Sequence, residues 1–177
     1  NYNSKEQIVL SGHINGIEKI TQLLRAKQIK TIPLKVSGPF HSSLMKPARD
    51  QFMDLLSNYQ FKPLKYPVIG NINAHPYRNE QSIPANLGDQ LVKSVRWQET
   101  MTWLKKAGVE LGIEIGPKMI LKRLAKKDPD ALPVYSMDVK TDRQYIADFF
   151  SFDGMEVLRR CRAIAVCTKN YNEDDDQ

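Results

Sequence analysis

Cysteine is scarce in this chain, with two in 177 residues. Cys161 and Cys167 stand six residues apart near one end, too few to build a disulfide framework. No histidine or further cysteine lies near them at the spacing of zinc ligands, so reduced thiols and no metal centre are expected. Long apolar runs are also lacking: nothing approaches the ~20 residues that span a bilayer. Residues Asn1 to Gln7 lack the basic-then-apolar plan of a secretory leader. These absences point to a soluble, cytoplasmic protein without a membrane span.

Basic blocks are missing as well. The net charge is +6, but the lysines are scattered through Lys5, Lys30, Lys46, Lys65, Lys93 and Lys105, which argues against a nucleic-acid surface. A diffuse positive field suits smaller anionic partners, such as a phosphorylated ligand or an acidic protein. The hydrophobic fraction of 41% allows a real core, and only the acidic run Glu173 to Asp176 reads as a solvated tail.

Strands are expected at Gln7 to Ser11, Thr31 to Val36, Pro67 to Ile72 and Val109 to Ile115, where β-branched residues cluster. Helical spacing links Ile14, Ile17, Ile20, Leu23 and Leu24, predicting a helix from Ile14 to Lys27. Further helices are expected from Met45 to Asn58 with Phe52, Leu55 and Leu56 inward, from Ile83 to Lys93, from Trp97 to Ala107 closed by Gly108, and from Lys118 to Lys127. Such alternation predicts an α/β fold with a largely parallel sheet. The first strand-helix-strand unit, about forty residues, is too small to bury a core alone. The abrupt start in a strand-forming region suggests the second part of a longer polypeptide.

One stretch carries chemistry. Val36-Ser37-Gly38-Pro39-Phe40-His41-Ser42-Ser43-Leu44-Met45 puts a histidine after a strand candidate and a Gly-Pro turn, where α/β enzymes present catalytic groups. A histidine that merely fills a turn would look the same.

Five blocks, in order, resolve that ambiguity. They are Asn1-Tyr2-Asn3-Ser4 with Gln7-Ile8-Val9-Leu10-Ser11-Gly12; Pro39-Phe40-His41-Ser42 with Leu44-Met45 and Pro47-Ala48; Pro67-Val68-Ile69-Gly70-Asn71-Ile72; Gln90-Leu91 with Val95-Arg96-Trp97; and Glu114-Ile115-Gly116-Pro117. Together they resemble the acyltransferase family that loads malonyl units from malonyl-CoA onto acyl carrier proteins in fatty-acid and polyketide synthesis. The resemblance runs from Asn1 to about Lys127. The stretch from Pro133-Val134-Tyr135-Ser136 through Arg159-Arg160-Cys161 to Asn170 is similar to the extension of stand-alone acyltransferases of polyketide synthesis.

The resemblance implies a hydrolase-like acyltransferase domain with part of a ferredoxin-like small subdomain. Residues 1–37 would complete the small subdomain, 38–130 would belong to the large α/β domain, and 131–177 would be a C-terminal extension. It implies that His41 is general base and then general acid, a task suited to an imidazole, which titrates near pH ~6.5. Gln90 would orient the ring through its main-chain carbonyl, where a triad would use an aspartate. Phe40 would crowd the acyl α-carbon and favour malonyl over methylmalonyl, a discrimination worth ~1 to 3 kcal/mol. Asn1, Asn3 and Lys30 would lie along the coenzyme A or phosphopantetheine arm, amides meeting amides and lysine meeting phosphate. His13 and His75 match no catalytic position and read as surface residues.

The nucleophile of this family sits in a Gly-His-Ser-x-Gly-Glu elbow, and no such elbow occurs here. The partners implied are malonyl-CoA, an acyl carrier protein and the N-terminal half of the same acyltransferase, with no metal or redox cofactor. A hydrolase of the same family, or a module that only docks a carrier protein, would share the blocks above. Two departures stand out: Lys118 where most relatives have glycine, and Ser94 where proline is frequent.

Overall fold

The computed structural model describes residues 1–128 and 131–151. Its elements are β1 (Tyr2–Ser4), β2 (Gln7–Ile8), α1 (Ile14–Ala26), α2 (Lys46–Leu56), α3 (Ile83–Val92), α4 (Trp97–Lys106), β3 (Gly112–Glu114), α5 (Ile120–Lys126), β4 (Val134–Ser136) and α6 (Lys140–Ser151). The fold is mixed α/β, as the alternation predicts.

The core gathers around α4, which turns Trp97, Thr100, Met101 and Leu104 inward at helical spacing. Of these, Trp97, Met101 and Leu104 cluster with Ile69, Leu124, Ala125 and Leu132. Gly108 closes α4 in the left-handed conformation, φ +80°, where its amide bonds to Lys105 O at 3.1 Å. β3 and β4 pair in parallel, Ile113 opposite Tyr135, with α5 as the connection between them. Buried Glu114 at the end of β3 reaches that helix: its carboxylate accepts from Leu121 N at 2.9 Å and Lys122 N at 3.0 Å. Two amides that the first helical turn leaves without an internal partner are thereby satisfied.

Lys118 takes up the left-handed conformation at φ +70°, which explains why a glycine suits this place. The turn is held all the same, because Lys118 N donates to Asp138 Oδ2 at 2.9 Å and Ser136 Oγ donates to Lys118 O at 3.1 Å. Asp142 of α6 ties the last helix to this layer, accepting from Ser136 N and from Lys122 Nζ, both at 2.7 Å.

Strands are the part of the sequence reading that changes. Thr31 to Val36 forms no strand; Ile32, Leu34 and Val36 are 68%, 57% and 65% exposed. A β-branched run becomes a strand only when a neighbour completes its ladder, and no neighbour lies beside it among the described residues. Pro67 to Ile72 likewise makes a single bridge, Ile69 to Pro76. Gln7 to Ser11 shrinks to β2, paired antiparallel with β1, which the sequence reading left out. In place of a largely parallel sheet, the described residues hold two two-stranded sheets, one antiparallel and one parallel. On α2, Leu56 is buried as expected but Leu55 is exposed. Cys161, Cys167, the Arg159 to Asn170 stretch and the acidic run lie outside the described residues.

Candidate active site

The segment that carries His41 is built by local hydrogen bonds. After the Gly38-Pro39 turn, Ser42 Oγ donates to Pro39 O at 2.6 Å and accepts from Leu44 N at 3.3 Å. Ser42 thereby caps a short 3-10 turn, Ser43–Met45, that runs directly into α2. With Pro47 in the first turn of α2, where no amide is needed, the chain cannot slide through this corner. The Ser42 hydroxyl is committed to that cap.

His41 stands at the bend with φ +60°. Left-handed backbone is uncommon for a side chain of this size and stores strain unless the surroundings enforce it. Here α3 enforces it. The His41 amide donates to Leu91 O at 2.9 Å, and the ring Nδ1 lies 2.9 Å from Gln90 O and 3.2 Å from Lys93 O. Carbonyl oxygens only accept, so Nδ1 carries the proton and the neutral ring keeps its lone pair on Nε2. The end of α3 therefore fixes the ring through main-chain carbonyls. Charge gained by the ring during proton transfer would face the negative end of the α3 dipole.

The structure brings His41 and Gln90 together through the main chain of Gln90. Phe40 is adjacent and 42% exposed, its ring 3.5 Å from where a Cβ on Gly38 would stand. Asn1 and Asn3 flank Tyr2 on the hairpin: Val9 N donates to Asn1 O at 3.0 Å and Tyr2 N to Val95 O at 2.8 Å, while Asn3 borders a small cavity beside Ser4, Trp97 and Asp128. Lys30 is exposed beyond α1. The structure shows no contact of Asn1, Asn3 or Lys30 with His41. His13, before α1, and His75 are both exposed, in keeping with a surface reading. A separate open groove lined by Tyr66, Tyr77 and Trp103 includes none of these residues.

The carbonyls of Leu91 and Lys93 escaped sequence reasoning because a main-chain acceptor leaves no mark in residue type. Among the described residues no cluster of three or more His, Cys, Asp or Glu side chains could hold a metal ion. No helix among them is long and apolar enough to cross a membrane.

No family model matches the chain. A malonyl CoA-acyl carrier protein transacylase of Bacillus subtilis is 33% identical over 178 residues, covering 97% of this chain and 44% of that protein. The crystal structure of MCAT from Streptococcus pneumoniae superposes with a TM-score of 0.77 at 31% identity, over 84% of this chain and 49% of that one. PlMCAT, a malonyl-transacylase solved in complex with the type II PKS acyl-carrier protein AntF, gives a TM-score of 0.72 at 29% identity, over 78% of this chain and 45% of its own. The chain thus spans a little under half the length of these relatives. Over the part of the fold that it spans, this chain is similar in sequence and in structure to the C-terminal part of malonyl CoA-acyl carrier protein transacylases.

Proposed function

We propose that this chain supplies the general base of an enzyme that moves malonyl groups from malonyl-CoA to the phosphopantetheine thiol of an acyl carrier protein. The observation that carries the reading is the hydrogen bond from His41 Nδ1 to Gln90 O at 2.9 Å, which leaves Nε2 as the basic nitrogen. A serine from the N-terminal half of the same enzyme attacks the malonyl thioester carbon while Nε2 takes the hydroxyl proton. The carbon–sulfur bond breaks, and the imidazolium returns that proton to the departing coenzyme A thiolate, leaving a malonyl-serine ester. The pantetheine thiol then attacks the ester carbon, its proton passing to Nε2 and on to the serine oxygen as the carbon–oxygen bond breaks. Both half-reactions balance without a metal or redox cofactor, and both suit the cytoplasm, where coenzyme A esters are available.

The N-terminal half as partner finds support in α1, in which no residue is buried although its apolar residues form one face. An uncovered apolar stripe of this kind fits a surface that the rest of the enzyme covers. The carrier protein as partner rests on the complex of PlMCAT with AntF. Phe40 sets acyl selectivity from its place next to His41, and Asn1, Asn3 and Lys30 contact the pantetheine arm.

The test is the intact mass of a carrier protein incubated with malonyl-CoA and the complete enzyme. One added malonyl group per carrier is expected, with methylmalonyl transfer slower by about 10- to 100-fold. An unloaded carrier alongside free malonate would assign the site to a hydrolase instead.

A further inference from the structure

The ring of His41 is only as well placed as the carbonyls that hold it, and α3 ends where those carbonyls are. Two features pin that end against α2. At Gly88 the helices touch so closely that a Cβ would lie 2.4 Å from Met53 Sδ. One residue later, the Asp89 carboxylate bridges two cations: Arg49 Nη2 of α2 at 3.1 Å through Oδ1 and Lys93 Nζ at 2.7 Å through Oδ2. Arg49 is itself held in the seam, with Nη1 at 3.5 Å from Asp50 and its Nε buried without an acceptor.

Lys93 is the residue at which the chain leaves α3, and its carbonyl is one of the two that face His41 Nδ1. Its own amide donates to Asp89 O at 2.8 Å. Asp89 therefore grips Lys93 by both ends, main chain and side chain, while Gln90 follows it directly in sequence. We propose that Asp89 is a positioning residue for His41, acting through the main-chain carbonyls of Gln90 and Lys93 that it fixes by bridging Arg49 to Lys93. The Lys93 side chain is 57% exposed, and such an ion pair adds little to stability. Its effect lies in geometry, since a base displaced by a fraction of an ångström loses rate without losing substrate affinity.

This inference rests on the reading of His41 as the base, and its test separates the two. In the complete enzyme, Asp89→Asn keeps the shape and removes the charge, and Arg49→Lys keeps the charge and shortens the reach. Both are expected to lower kcat for malonyl transfer about tenfold with KM within about twofold. In the same proteins the imidazole 15N signals of His41 should move from a single Nδ1–H tautomer toward a mixture. If folded Asp89→Asn keeps both the wild-type kcat and the wild-type imidazole signals, the proposal is overturned; should Asp89→Asn not fold, Arg49→Lys decides on the same terms. An enzyme with no malonyl transfer at all would defeat the functional reading, and the 15N comparison would still decide the positioning role.

Discussion

Two helices of similar pattern meet different fates. In α1, Ile14, Ile17, Ile20, Leu23 and Leu24 repeat at helical spacing, yet none of its 13 residues is buried. In α4, a helix of 10 residues, Trp97, Thr100, Met101 and Leu104 are all buried. The periodicity is equally legible in both, so pattern alone does not decide burial; a complementary surface does. α4 finds one in α5 and the segments around Ile69 and Leu132. The His41 segment is anchored on the ordered side of this contrast, held to α3 by its amide and its ring.

The largest effect that separates the two regions is on stability. Leu104→Ala in this chain is expected to cost about 2 to 5 kcal/mol in urea denaturation, the usual toll of a core cavity. Leu23→Ala, on the uncovered face, should stay within about 0.5 kcal/mol. Equal losses at both positions would erase the distinction.

A smaller effect sharpens the same contrast at the far edge of the core. Burial alone would push the Asp142 carboxyl up, but hydrogen bonds from Lys122 and Ser136 N, together with the charge of Lys122, outweigh it and hold the group below the usual carboxylate value. A depressed folded pKa stabilises above the unfolded value of ~3.9 and is lost as pH falls through the folded one. Asp142→Ala should therefore cost about 1 to 3 kcal/mol near neutral pH, and the gap from wild type should shrink below pH ~4. A gap that does not change with pH would remove the charged pair from the account.

These regions also show what the sequence could and could not convey. Helices α2 to α5 were legible because 3.6-residue spacing is a local property, and their ends fall within about two residues of expectation. Strands were legible only in part: β3 falls inside the expected Val109 to Ile115 and β2 inside Gln7 to Ser11, but a run such as Ile32, Leu34 and Val36 depends on a ladder partner supplied from elsewhere. β1, three residues long, is too short to show any period. At the site, His41 was legible from its Gly-Pro turn and the flanking blocks, and Gln90 only through resemblance, since its contribution is a carbonyl that any residue possesses. Asp89 and Lys93 stood at i, i+4 spacing in plain view, but nothing in one dimension tied them to a histidine about fifty residues away.

The central claim is that His41, fixed by the end of α3, moves the proton in both half-reactions. The most direct test is single-turnover acylation of the complete enzyme by malonyl-CoA, followed by intact mass, in wild type and His41→Ala. The account predicts that acyl-enzyme formation falls by about 10²- to 10⁴-fold while malonyl-CoA binding holds. Acylation of His41→Ala at the wild-type rate would contradict it.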